Sequence, residues 1–180
     1  MKNITLLFLA IFMFSITSAF GQKNCKYDYE KEDPFTGKAT KGTTCAIYPA
    51  SPISYEYWYV GLNRVGDDYY MGMVVELNGE LNLYVNQGDS IMFKLADGNI
   101  ITIHANDQGT PVSKVTTAGS KVIVTTQYRV NYDISVSDMK KLTESMVTYV
   151  RMNLSDKIYE KELKEKRAKD FMNDALCIMN

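Results

Sequence analysis

The stretch "YEYWYVGLNRVGDDYYMGMVVELN", residues 55–78, decides the fold of this chain. Two runs rich in tyrosine, valine and other strand-forming residues flank the turn signal "VGDD" at residues 65–68. In the first run, Tyr55, Tyr57 and Tyr59 occupy every second position. Because side chains alternate between the two faces of a strand, we expect these three rings on one face and the intervening residues on the other.

The tyrosine row, Tyr55, Tyr57 and Tyr59, has two interpretations. If exposed, the rings would stack on a glycan or a peptide, and Tyr69 and Tyr70 would extend the platform. If half-buried, the same rings would fill space against neighbouring strands, because aromatic residues are good strand formers. The chain has 13 tyrosines, and this general use favours packing as the first interpretation and a binding platform as the second.

Turn signals recur along the chain and separate further strand-like segments. They are "DPFTG" at residues 33–37, "NG" at 78–79, "QGD" at 87–89 and "DG" at 97–98. The two dipeptides accept the positive φ angles of tight hairpins and predict an antiparallel meander. In that meander residues 80–86 form the strand after Gly79, and residues 121–134 form a long strand after a polar loop.

The last part of the chain predicts two helices. Residues 135–145 indicate a short helix capped by Ser137, followed by a strand with Val147, Tyr149 and Arg151 on one face. Residues 164–179 predict an amphipathic helix with an apolar stripe made of Ala168, Phe171, Met172, Ala175, Leu176 and Met179. The fold class is therefore α+β: a mostly antiparallel sheet, of meander or sandwich type, with a short helix and a C-terminal amphipathic helix packed on it.

The beginning of the chain reads as a secretory signal peptide at residues 1–21. Lys2 supplies the positive charge, and residues 4–14 form an apolar run shorter than the ~20 residues of a membrane span. Ala19 and Gly21 are small residues at the positions that a signal peptidase inspects. We expect cleavage after Gly21, a single domain at residues 22–180, export to the periplasm or outside the cell, and no membrane insertion after cleavage.

Charge and composition exclude one class of partner. The chain has 20 basic and 21 acidic residues, and loss of Lys2 leaves the mature part near −2. A phosphate-binding surface needs clustered positive charge, and the basic residues here have acidic neighbours. We therefore expect no nucleic acid partner, and an unidentified protein or a glycan remains.

The three cysteines predict one disulfide and one free thiol in an oxidising compartment. Cys25 with Cys45 is the first choice, because both lie where the first hairpin would form. Cys25 with Cys177, which would tie the two ends together, is the alternative. Because no metal-ligand spacing or cofactor motif occurs, we expect no metal and no cofactor.

The candidates for catalysis are weak, so we expect a non-enzymatic protein. His104 is the only histidine, and nearby Asp107 is a carboxylate that would orient it in a hydrolase. No nucleophile signature accompanies the pair. The leading hypothesis is therefore an exported protein that recognises a partner or supports the envelope, ahead of a glycan- or peptide-binding module and of a hydrolase.

A family resemblance is carried by four segments and by the leader ending "SAFGQ". The four segments are "CKYDYEKEDPFTGK", "GDSIMFKLADGNIITI", "ISVSDMKKLTESMVTYVRM" and "KRAKDFMNDALCIM". Together they resemble small exported proteins of Bacteroidota to which no function is assigned. The resemblance spans nearly the whole mature chain. It implies export and the α+β fold, and it implies no catalytic residues.

Overall fold

The computed structural model describes residues 25–49 and 54–180. The expected leader and its cleavage site lie outside the described residues. In the described part, ten strands and two helices follow one another as β1 (Tyr29–Glu32), β2 (Ala39–Tyr48), β3 (Tyr57–Val65), β4 (Asp68–Asn78), β5 (Ser90–Leu95), β6 (Ile100–His104), β7 (Val112–Ala118), β8 (Lys121–Ile134), α1 (Val136–Glu144), β9 (Val147–Leu154), β10 (Lys157–Glu162) and α2 (Glu165–Met179). Within these ranges no helix has both the length and the apolar composition needed to cross a bilayer.

The strands form two antiparallel sheets. The larger has the order β1-β2-β3-β4-β8-β7, and the smaller has the order β10-β9-β5-β6. The predicted fold class, a mostly antiparallel α+β fold with a C-terminal helix, is confirmed. At the centre, β3 and β4 form the hairpin expected around "VGDD", where Gly66 takes a φ of 60° that suits a tight turn.

One core lies behind the larger sheet. Trp58, Val60 and Leu62 of β3 face inwards and are fully buried. Helix α2 packs against β2 and β3, and it also contacts β9 of the smaller sheet. Phe171 of this helix meets Phe93 of β5 with ring centroids 6.0 Å apart, which joins the helix to the smaller sheet. Truncation of such a buried aromatic residue costs about 3–5 kcal/mol.

Residues 80–86 do not form the strand expected after Gly79, and that prediction is wrong. Strand β4 already pairs with β3 on one edge and with β8 on the other, so it offers no edge for a third strand. Side chains bind the backbone of the segment instead: Leu81 N–H donates to Thr126 Oγ1 at 2.9 Å, and Tyr84 N–H to Ser155 Oγ at 3.0 Å. On its other edge, β8 pairs with β7, a strand that the sequence did not lead us to expect.

The helix and strand details near the end need three corrections. Helix α1 is capped by Ser135, whose Oγ accepts from Asp138 N–H at 3.1 Å, so the cap at Ser137 is wrong. A bulge at the start of β9 breaks the alternation, so Val147 is buried while Tyr149 and Arg151 are exposed. In α2, Leu176 is exposed rather than part of the buried stripe.

The disulfide joins Cys25 to Cys177, and Cys45 is free. The first-choice pairing of Cys25 with Cys45 is therefore wrong, and the alternative is confirmed. The β1–β2 ladder starts at the Tyr29–Gly42 pair, and the segment before it turns towards the end of α2. There the hydroxyl of Tyr27 donates to the carbonyl oxygen of Cys177 at 2.9 Å. The bond ties the first described segment to the last helix.

Replacement of Cys25 and Cys177 by serine will lower the free energy of unfolding by about 2–5 kcal/mol, because the bond closes a loop that spans 152 positions. Urea unfolding followed by circular dichroism measures the loss. The matched control is Cys45→Ser, which removes the free thiol and should shift the midpoint far less. An unchanged midpoint in the double variant would contradict a stabilising role for the bond.

Candidate ligand-binding face

The outer face of the larger sheet, the side turned away from the core, carries the candidate site. Strand register sorts its central side chains into rows that run across β3, β4 and β8. These rows are Tyr57–Glu76–Gln127, Tyr59–Val74–Arg129, Gly61–Gly72–Asn131 and Asn63–Tyr70–Asp133. Aromatic, amide and charged groups therefore share one face around a pair of glycines.

Tyr57 and Tyr59 lie on this face, as the alternation predicted, whereas Tyr55 precedes β3 and lies outside its register. Tyr55 and Tyr59 are 37% and 36% exposed, and Tyr57 is half-buried. Tyr57 and Tyr59 contact each other edge to face, with ring centroids 5.1 Å apart. Tyr70 is 37% exposed and shares the face, whereas Tyr69 is only 8% exposed and turns to the core side, so Tyr69 does not extend the row.

Tyr57 is held by a buried carboxylate that the sequence analysis did not single out. Glu76, opposite Tyr57 on β4, accepts hydrogen bonds from the Tyr57 hydroxyl, from Thr125 Oγ1 at 2.7 Å and from Gln127 Nε2 at 3.3 Å. The ammonium group of Lys114 lies 3.1 Å from the same carboxylate. Gln127 Nε2 also donates to the Tyr57 oxygen at 2.7 Å. The Glu76 cluster, these five residues, joins β3, β4, β8 and β7.

Electrostatics keep the Glu76 cluster in one protonation state at neutral pH. Burial alone would raise the pKa of Glu76, but hydrogen bonds from Tyr57, Thr125 and Lys114 outweigh it and leave that pKa below its ordinary value. Burial and the neighbouring carboxylate raise the pKa of Tyr57. Four donors meet the roughly four lone-pair positions of the carboxylate. Glu76 is therefore a charged anchor that orients Tyr57.

The glycine pair, Gly61 and Gly72, forms a floor without side chains beside Tyr59. A Cβ atom at Gly61 would meet nothing nearer than the carbonyl oxygen of Thr43 at 3.7 Å, and one at Gly72 nothing nearer than Asn131 Oδ1 at 3.7 Å. Space therefore does not require glycine here, although glycine within a strand costs about 0.5–1 kcal/mol relative to alanine. Such a residue is typical of a place where a ligand or another backbone approaches closely.

Gly42 shows the contrast. A Cβ at this position would lie 2.5 Å from Asn63 Oδ1 and 2.6 Å from the ring of Tyr29. The Tyr29 ring covers the glycine, and its hydroxyl donates to Asn63 Oδ1 at 2.8 Å. Packing thus explains Gly42, whereas no side chain among the described residues packs on Gly61 or Gly72 closely enough to explain them.

The glycine pair and its neighbours form a shallow trough. Tyr59 stands on one side of the floor and Tyr70 on the other, while Thr44 and Asn131 lie at its two ends. Tyr70 lies opposite Asn63 of β3, and Asn63 is four positions from Tyr59. The two sides of the trough are therefore about 13 Å apart along β3. Two rings with hydroxyl and amide groups between them suit a flat, uncharged, hydrogen-bonding ligand.

A second groove, of about 350 Å³, lies on the outer face of the smaller sheet. Its lining includes Met92, Tyr149 and Ile100. An ion pair between Arg151 and Glu160 crosses it, and the ammonium of Lys94 sits 5.9 Å from the centre of the Tyr149 ring. Each charged group of this groove is therefore already engaged, Arg151 with Glu160 and Lys94 with the Tyr149 ring.

The proposed hydrolase residues are not brought together. His104 Nδ1 lies 2.9 Å from the carbonyl oxygen of Gly88, while Asp107 accepts from Asn131 Nδ2 at 3.3 Å. Burial and the nearby Asp174 raise the pKa of the Cys45 thiol, which makes it a poor nucleophile. In the described ranges no group of three or more His, Cys, Asp or Glu side chains is placed to hold a metal ion.

Comparison with known proteins found no matching family model, curated protein or solved structure. The resemblance to exported proteins of Bacteroidota therefore stays a prediction.

The Glu76→Gln variant will lose about 1–3 kcal/mol of unfolding free energy at pH 7, because it replaces a charged acceptor of four donors. The contribution of Glu76 is complete above the ordinary carboxyl pKa of about 4.3 and disappears as pH falls through its lower folded pKa. The difference between the two proteins should therefore shrink in acid.

Urea unfolding from pH 7 down to pH 2 measures this difference. The matched control is Glu80→Gln, at an exposed position on the adjoining loop, which should give a small and constant difference. A Glu76→Gln difference that does not change with pH would contradict the assignment of a charged Glu76.

Proposed function

We propose that this chain is an exported, non-enzymatic binding protein that holds a neutral saccharide on the outer face of its larger sheet. The proposal rests on one observation: Tyr59 and Tyr70, both partly exposed, flank a floor made by Gly61 and Gly72. A pyranose ring presents an apolar face to an aromatic ring and hydroxyl groups at its edge. The floor lets a saccharide approach the sheet, and because the two sides lie about 13 Å apart, each tyrosine contacts the face of a different sugar ring.

The polar groups around the trough support a neutral ligand. Thr44, Asn63 and Asn131 supply hydroxyl and amide groups, which pair with sugar hydroxyls without the desolvation cost of a charge. Arg129 and Asp133, one cation and one anion, lie on opposite sides, and the carboxylate of Asp107 accepts from Asn131 at one end of the trough. An anionic ligand therefore has no excess of positive charge to meet here.

The binding role also accounts for the Glu76 cluster. A carboxylate surrounded by four donors cannot accept a proton from a substrate without breaking its own contacts, and its lowered pKa makes it a weak base. By fixing Tyr57, which contacts Tyr59, the Glu76 carboxylate keeps the Tyr59 ring in place before the ligand arrives. Preorganisation of this kind reduces the entropy lost on binding.

The Tyr59→Ala, Tyr70→Ala double variant should bind neutral polysaccharide at least about tenfold more weakly, a loss of roughly 1.4 kcal/mol. Its melting temperature should change little, because both rings are partly exposed. Affinity electrophoresis through gels containing soluble β-glucan, glycol chitin or dextran measures retention. The matched control is Tyr149→Ala, which removes a ring of similar exposure from the other sheet.

A second variant, Gly72→Val, fills the trough without touching a tyrosine. The site has room for a Cβ, and valine favours strands, so stability should hold or rise while retention falls. Wild-type protein that no neutral polysaccharide retards would overturn the proposal, and so would a Gly72→Val variant that binds as the wild type does. Retention by an immobilised peptide library alone would assign the face to peptide instead.

Export has its own test. Expression of the full chain in a bacterial host should yield a product in the periplasm or medium whose intact mass corresponds to a chain beginning at Gln22. The Gly21→Tyr variant places a bulky residue at the cleavage position and should accumulate as the longer precursor. A full-length product that stays in the cytoplasm would contradict the export prediction.

A further inference from the structure

Four strands form the edges of the two sheets in the part of the chain that the structure describes: β1, β7, β10 and β6. Exposed edges carry unpaired backbone groups, and proteins protect them with charged side chains, short length or a covering element. Three of the four residues of β1 are charged, and four of the six residues of β10 are charged. Strand β6 is short, and the chain after it folds onto β8, where Ala105 bridges Tyr132. These three edges are protected.

Within the described ranges, no such protection is found at strand β7. It has seven residues, and its one charged side chain, Lys114, is drawn across the outer face to Glu76 at 3.1 Å. Val115 on this strand is 69% exposed, and Val122 on the adjoining β8 is 67% exposed. An edge strand whose single charge is neutralised within its own sheet, and which carries exposed β-branched residues, is a typical site for pairing with another strand.

The tip of the β7–β8 hairpin is also short of neighbours. Strand β4 ends at Asn78, opposite Thr125, so beyond that point the hairpin continues as a ribbon of two strands. A two-stranded ribbon is only marginally stable in water, and a third strand on the β7 edge would stabilise it. The ribbon therefore gains most from a partner at β7.

The turn defines which backbone groups are free. A two-residue loop separates Ala118 from Lys121, so these two residues form a hydrogen-bonded pair. Along the rest of the hairpin, non-hydrogen-bonded and hydrogen-bonded pairs alternate. The N–H and C=O groups of Ser113, Val115 and Thr117 consequently point away from β8. They present a regular set of donors and acceptors along the edge.

We propose that two copies of this chain associate through β7, antiparallel about a two-fold axis at Val115, to form one continuous sheet. In this register Val115 pairs with Val115 of the second copy, and Ser113 pairs with its Thr117. About six backbone hydrogen bonds form between the copies. The interface is isologous, as two-fold dimers require.

The charges of β7 permit a second copy to pair in this register without repulsion. The register places Lys114 opposite Thr116 of the second copy, so the two lysines do not face each other. Each lysine is also neutralised by Glu76 of its own chain. A shift that paired Lys114 with itself would set like charges about 4.5–5.5 Å apart between Cα atoms, which would oppose that register.

Cross-linking tests the register. The Val115→Cys variant should form a covalent dimer under mild oxidation, because a hydrogen-bonded pair holds its Cα atoms about 5.5 Å apart, within reach of a disulfide. Val122→Cys is the matched control: its side chain is as exposed, but β7 separates it from the interface. Dimer yields that are equal in the two variants would overturn the proposed register.

Sedimentation equilibrium tests the association itself. The wild-type chain should shift from monomer to dimer between micromolar and millimolar concentration. Val115→Pro removes one outward N–H without breaking the β7–β8 ladder and should stay monomeric, whereas Val115→Ala keeps the N–H and should still associate. A melting temperature near that of the wild type shows that the proline variant is folded.

Two results would overturn the dimer: a wild-type chain that stays monomeric up to millimolar concentration, or a folded Val115→Pro variant that still dimerises. Neither readout involves saccharide, so failure of the dimer and failure of the binding proposal are distinguishable.

Discussion

The register of β3 between β2 and β4 is the constraint on which the rest of the structure depends. Trp58, Val60 and Leu62 are buried on the inner side, and a shift of one residue would expose all three and bury the tyrosines. The core therefore decides the orientation of Tyr57 and Tyr59. The side chains of the outer face are those that stay exposed once the larger apolar side chains of the hairpin are buried in the core.

The Glu76 cluster connects that register to the proposed site. A buried carboxylate is costly unless donors surround it, and here the donors come from three other strands. The four strands must align for the charge to be satisfied, so the cluster opposes any slip of β4 against its neighbours. The same contacts fix Tyr57 beside Tyr59, which makes one polar network serve both stability and the shape of the face.

The edges of the larger sheet serve different purposes. At one end, the Cys25–Cys177 bond and the Tyr27 hydroxyl hold the segment before β1 against α2. At the other end, β7 is the last strand of the larger sheet in the part of the chain that the structure describes. A dimer through β7 would place two outer faces on one continuous sheet, and a polymeric saccharide would then meet two sites at once. Such a ligand gains affinity from the second contact without any new chemistry in either site.

Local patterns determined much of this protein. The alternation in β3, the turns at Gly66 and Gly98, the long strand β8 and the helical spacing in α2 were all readable, because each depends on residues near one another in the chain. Three features required the tertiary structure: the cysteine pairing, the irregular path of residues 80–86 and the Glu76 cluster. Each depends on partners distant in sequence, and no local pattern records which partner is taken. Strand β7 is different: the two-residue loop that joins it to β8 is a local hairpin signal, and it was overlooked.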